Sequence, residues 1–213
     1  MKTNLHLFAF AALSLCFFGC AAPSSVKQTW KSPTHNTGPV QKVAVVAVDE
    51  RGLIRQAFEN RLVRDLKAGG QDAFVTHSLL GLPEMKADKK AAAARLRQDG
   101  ADTVLVIRLA GQSSDAYQVR ATSAAYVETV TGMETDVAGY DYYTVAFTDM
   151  GTTWSNTSMA VDLEAILFDL NTGKRLWSCQ TLTVLKEETD RLAEADVLVA
   201  KIVAALRKDG MVR

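Results

Sequence analysis

Three groupings of side chains in this chain have the types and spacing to do chemistry. Cys179 and His77 would make a nucleophile and its base if the fold brought them together, because a thiolate attacks and an imidazole takes its proton. Asp162 and Glu164 stand two apart, so on an extended strand they share a face, as the paired carboxylates of a hydrolase do. Asp49, Glu50 and Arg51, with Arg55 and Glu59 behind them, follow the first strongly apolar segment, and open α/β sheets bind ligands beyond the carboxyl ends of their strands. Each grouping also has a plain structural reading. A buried thiol is core filler, two acids on an antiparallel strand are its wet face, and a surface ion-pair cluster caps a helix. The structural reading is the expectation for all three. The chain has no H-E-x-x-H, no C-x-x-C and no glycine loop shaped for phosphate, so no catalytic residue, metal or cofactor is expected and the protein is not read as an enzyme.

A different chemistry is written at Cys20. The chain opens MKTNLH, with Lys2, and continues in mostly apolar residues from Leu5 to Phe18 before small Gly19 and Cys20. That is the layout of a secretory signal, and it falls short of the roughly 20 apolar residues that a membrane-crossing helix needs. Phe17-Phe18-Gly19-Cys20 resembles a bacterial lipobox, although leucine is usual where Phe17 stands. The resemblance implies that residues 1–19 are a removed signal peptide and that Cys20 carries a diacylglycerol and a further acyl chain. Two or three chains hold far more firmly than one, because each buried methylene contributes about 0.8 kcal/mol. Ala21 follows where aspartate would retain such a protein in the inner membrane, which implies an outer-membrane lipoprotein facing the periplasm.

Charge and cysteine content narrow the partners. Of 24 basic and 24 acidic residues the signal takes Lys2, so the mature chain is nearly neutral and shows no basic stripe, which argues against nucleic acid. Cys16 leaves with the signal and Cys20 is taken by lipid. Cys179 is left alone, and no intrachain disulfide is expected despite the oxidising compartment.

The elements that must position these residues form one α/β domain over 41–213. Residues 20–40 hold Pro23, Pro33 and Pro39 among small and polar residues and read as a lipidated cysteine with a flexible tether, reaching roughly 25 Å as a coil, with Trp30 docked on the domain. Lys42 to Val48 is apolar without alternation, the sign of a strand covered on both faces. Leu53, Ile54, Ala57, Phe58, Leu62 and Leu66 recur at helical spacing, and Gly69-Gly70 ends that helix. A strand over Ala73 to Ser78, a helix over Lys86 to Gln98 and a strand over Thr103 to Leu109 complete a parallel βαβαβ unit with right-handed crossovers. A stripe of Leu192, Ala195, Val199, Ile202, Val203 and Leu206 marks a final helix closed by Gly210.

Between Ser158 and Val184 two strand patterns flank Asn171-Thr172-Gly173, an antiparallel hairpin whose glycine supplies the positive φ of the turn. Pairing Leu167 with Trp177, Ala165 with Cys179 and Leu163 with Thr181 gives a core face of Met159, Val161, Leu163, Ala165, Leu167, Trp177 and Cys179. Asp162, Glu164 and Gln180 then lie on the other face. A one-residue slip would bury the two acids on the core face, so the register is well specified.

Asp169-Leu-Asn-Thr-Gly-Lys-Arg-Leu-Trp177 resembles the D-x-x-T-G-x-x-x-W hairpin of bacterial lipoproteins related to the penicillin-binding-protein activators, the curli-secretion lipoprotein and the amino-terminal domain of TolB. The resemblance covers roughly Val40 to Arg207 without residues 112–157. It implies a mixed sheet, the parallel unit followed by the hairpin, with helices packed on it, and a role in envelope assembly or upkeep; it carries no catalytic residue across. The unmatched insertion at 112–157 is rich in Tyr, Thr and Gly. Tyr140, Tyr142 and Tyr143 are the candidate partner-binding residues, since tyrosine gives contact area at low entropic cost. The expected function is therefore a non-catalytic protein-binding or assembly module of the envelope. The alternatives are a periplasmic small-ligand or peptidoglycan-binding protein or enzyme using Asp49, Glu50 and Arg51, and a subunit of an export pore.

Overall fold

The computed structural model describes residues 24–113, 158–186 and 191–213. Cys20, Tyr140, Tyr142 and Tyr143 lie outside these residues.

Six strands form one mixed sheet: β1 (Ser24–Lys31), β2 (Lys42–Val48), β3 (Asp72–Val75), β4 (Thr103–Ser113), β5 (Ser158–Asp169) and β6 (Arg175–Lys186). Their spatial order is β1-β6-β5-β4-β2-β3. β2 runs parallel to both β3 and β4, and the remaining pairs are antiparallel. The helices among the described residues are α1 (Gly52–Ala68), α2 (Leu82–Ala87), α3 (Lys89–Gln98) and α4 (Arg191–Lys208).

The unbroken apolar run of β2 is explained by cover on both faces. Val43 and Val45 point into one core with Leu62 and Leu66 of α1 and Ile202 and Leu206 of α4, while Ala44 and Val46 point into another with Met85 of α2 and Leu96 of α3. Each fully buried Leu or Ile in these layers contributes about 2 kcal/mol relative to exposure. The hairpin register is as the alternation requires, with Leu167 opposite Trp177, Ala165 opposite Cys179 and Leu163 opposite Thr181. Nearer the turn the pairing shifts so that Phe168 meets Arg175, and the strand bulges at Leu176.

Four elements differ from the sequence reading, each for a physical reason. Residues 24–31, expected inside the tether, form β1 and pair antiparallel with β6, Ser24 opposite Thr183 and Lys31 opposite Trp177. No proline falls between Pro23 and Pro33, and Val26, Thr29 and Trp30 suit a strand, so an edge position is open to them. Trp30 docks as expected, its ring 4.1 Å from the Arg175 guanidinium. On α1 the face turned inward is Arg55, Glu59, Leu62, Val63 and Leu66, and Leu53 is left 83% exposed. β3 stops at Val75 because the backbone N–H groups of Thr76 and His77 donate to the Glu59 carboxylate at 2.8 and 2.7 Å instead of to a ladder. The helix expected over Lys86 to Gln98 is two helices, broken at Asp88, whose extended backbone and side chain cap α3 through Ala91 N at 2.9 Å.

Candidate functional site

The three sequence groupings converge on the ends and middle of the sheet, and each is taken up by the fold. Asp49, at the carboxyl end of β2, folds back on its own loop: Arg51 donates from Nη2 to Asp49 Oδ2 at 2.6 Å, from Nε to Oδ1 at 2.9 Å and from its backbone N to Oδ1 at 2.9 Å. Partial burial pushes the Asp49 carboxyl up, but the hydrogen bonds and charge of Arg51 outweigh this and hold it below the ordinary value. The same pairing raises the Arg51 guanidinium. Glu50 is exposed beside them and has no part in the pair.

Arg55 and Glu59 turn inward, away from Asp49 and Arg51. Glu59 is fully buried and receives five N–H groups: Arg55 Nε at 2.8 Å, Ala47 N at 3.2 Å, Thr76 N at 2.8 Å, His77 N at 2.7 Å and His77 Nδ1 at 2.9 Å. A carboxylate only accepts, so the His77 proton is assigned to Nδ1. Arg55 Nη2 continues the network to Thr76 Oγ1 at 3.1 Å and to the Leu80 carbonyl at 2.9 Å. Charge-assisted bonds of this kind are about twice as strong as neutral ones, and here they tie α1, the end of β2 and the segment after β3 into one knot. The Glu59 carboxylate is thus spent on the protein's own N–H donors.

Asp162 and Glu164 were expected on a wet face, and the structure corrects this. Glu164 is 2% exposed and pairs across the ladder with Arg108, which is 3% exposed; Arg108 Nη2 and Nε donate to Glu164 Oε2 at 2.6 and 2.9 Å. Consecutive residues of β5 from Leu163 to Phe168 are all buried, so both faces of the strand are covered there. Asp162, nearer the strand's start, pairs with Lys27 of β1 at 2.8 Å. The sequence signal for Arg108 is a lone cation inside the apolar run Thr103 to Leu109, since a charge in a covered strand requires a counter-charge opposite.

Cys179 and His77 are not brought together. Cys179 is buried in the layer under α1 and α4, and burial, with the charges of Asp209 and Glu164 adding, pushes its thiol up to about 12. The neighbouring Trp177 is fully buried and donates from Nε1 to Asp209 Oδ2 at 2.7 Å. The aspartate of the D-x-x-T-G motif, Asp169, accepts from Asn171 N at 2.8 Å, Thr172 N at 2.7 Å and Thr172 Oγ1 at 3.0 Å, and Gly173 takes φ 70°. Its chemistry is that of the turn. Among the described residues no group of three or more His, Cys, Asp or Glu side chains could hold a metal ion, and no helix is long and apolar enough to cross a membrane.

No family model and no curated protein sequence matches the chain. Solved structures similar to it include PelC from Paraburkholderia phytofirmans, a dodecamer, at 15% identity over 90% of this chain and 100% of that one, with a TM-score of 0.48. A second crystal form, of a variant of the same dodecamer, matches at 15% identity over 86% of this chain and 98% of that one, with a TM-score of 0.47. The lipoprotein GNA1162 from Neisseria meningitidis is similar at 15% identity over 79% of this chain and 99% of that one, with a TM-score of 0.41.

Proposed function

We propose that the protein is a non-catalytic lipoprotein of the outer membrane, moored through Cys20 and facing the periplasm, whose α/β body presents residues 112–157 to an envelope protein partner. The observation that carries the reading is the saturation of the buried polar groups: Glu59 by five N–H donors, Glu164 by Arg108, and Cys179 by burial. The reactive residues singled out in the described part, exposed Glu50 aside, serve the fold. What remains for function is the anchor and the insertion with Tyr140, Tyr142 and Tyr143. β4 and β5 stay paired out to Ser113 opposite Ala160, so the insertion is joined to the body at two neighbouring strand ends.

That geometry makes the test clean. Photo-crosslinking in intact cells from a probe at Tyr142 should capture one envelope protein reproducibly. A chain in which residues 116–156 are replaced by a short turn should keep its circular dichroism and no longer co-purify with the captured protein through an affinity tag on its body. Co-purification that persists after the excision, or no adduct from the intact protein, would refute the binding role. Mass spectrometry of the mature amino terminus checks the anchor separately, with an acylated Cys20 expected.

A further inference from the structure

Eight residues that composition assigns to a tether are part of the sheet, and this changes where the body sits. Ser24 is 4% exposed and held from three sides. Its Oγ lies 3.0 Å from Thr183 Oγ1 and donates to Glu194 Oε2 at 3.3 Å, and Lys201 Nζ of α4 donates to its carbonyl. The first residue of β1 is therefore pinned by β6 and α4, unlike a fraying terminus. Only residues 21–23 separate it from Cys20, and four Cα steps span at most about 14 Å.

Ser24 stands at one end of the sheet, in a row with Thr183 of β6, Val161 of β5 and Gln112 of β4. The hairpin turn Asn171–Gly173 is at the other end, and Lys174 lies nine residues along β6 from Thr183, about 30 Å at the usual rise per residue.

We infer that the end of the sheet carrying Ser24, Val161 and Thr183 is held against a lipid surface, with the Asn171–Gly173 turn pointing into the aqueous space. The inference rests on the acylation of Cys20 proposed above. The occupant of this end is the phospholipid headgroup layer, because the chain outside the body is too short to let it leave. Nothing draws the molecule down onto its side along β1. Ser25, Val26, Lys27, Gln28 and Thr29 are exposed, yet only Val26 among them is apolar. The two ammonium groups of that strand are already engaged, Lys27 with Asp162 at 2.8 Å and Lys31 with the Asp209 carbonyl at 2.8 Å. An edge with one exposed apolar side chain, Val26, and both its ammonium groups engaged has little affinity for a bilayer. β4 and β5 also finish at the lipid end, at Ser113 and Ser158, so the partner of the proposed function is to be sought in the membrane plane.

The test uses the full acylated protein in phosphatidylethanolamine and phosphatidylglycerol vesicles containing a headgroup-nitroxide lipid. A fluorophore is placed through Ser25→Cys or through Lys174→Cys, both exposed positions. Cys179 stays unlabelled because it is buried, and acylation blocks Cys20. Quenching at position 25 should exceed that at 174 several-fold. Inserting about twenty Gly and Ser residues between Pro23 and Ser24, a coil averaging roughly 25 Å, should abolish most of the quenching at position 25. With the acyl chains verified by mass spectrometry, equal quenching at the two positions, or an insertion without effect, overturns the orientation and leaves the anchor standing. An unmodified Cys20 overturns the anchor and the orientation together.

Discussion

Glu59 shows at the level of a single side chain how this fold spends its polar groups. Replacing it by Gln keeps the shape but turns an amide NH2 toward N–H donors, leaving buried groups unpaired. Glu59→Gln should cost about 3 kcal/mol in urea unfolding, the penalty typical of breaking a buried ion pair from one side. Cys179 gives a pH-dependent counterpart. Its folded value is raised from the ordinary 9.0 to about 12, so the neutral thiol's contribution is complete below 9 and is lost as pH rises through that interval. Stability measured from pH 8 to 10 should therefore decline less in Cys179→Val than in the parent, and a thiol reagent at pH 8 should react only after unfolding. The register made Cys179's placement readable from the sequence. Glu59's was not, because in a helix of charged and apolar residues nothing local says that the charged stripe faces in. Only the distant backbone of Thr76 and His77 decides it.

At the level of elements, local grammar was legible where one segment carries its own instructions. The hairpin is the clearest case: Asp169 satisfies the turn's N–H groups, Gly173 takes the left-handed conformation, and the alternation fixes the faces. Gly173→Ala should cost about 1 kcal/mol, read as a lower thermal midpoint, because a Cβ at φ 70° meets the following carbonyl. β1 and the break at Asp88 were illegible for opposite reasons. β1 depends on an open edge of β6 that only the assembled sheet provides. Asp88 sits in a helix-friendly stretch and acts through its side chain on Ala91.

For the whole molecule, β1 forms one edge of the sheet, covering β6, and links the proposed anchor to the body. Removing residues 21–31 uncovers β6, whose unpaired N–H and C=O groups then form a ready edge for another chain. Such a truncation should elute as concentration-dependent oligomers in size exclusion where the longer chain does not. The parallel pairing of β2 with β3 and β4 could be anticipated from alternating strand and helix patterns, and the second core under α2 and α3 from the unbroken apolar run of β2.

The pairing of Ser24 with Thr183 joins residues 159 apart in the chain, and Val40 N bonds the carbonyl of Met211. Contacts of such long separation carry a loop-closure cost before any reward, and they slow folding. The first strand among the described residues waits for the last one. A nascent chain emerging amino terminus first cannot complete its sheet until β6 has also arrived, so maturation is timed by delivery of the carboxyl-terminal quarter, and the unfinished chain is open to proteases and chaperones until then.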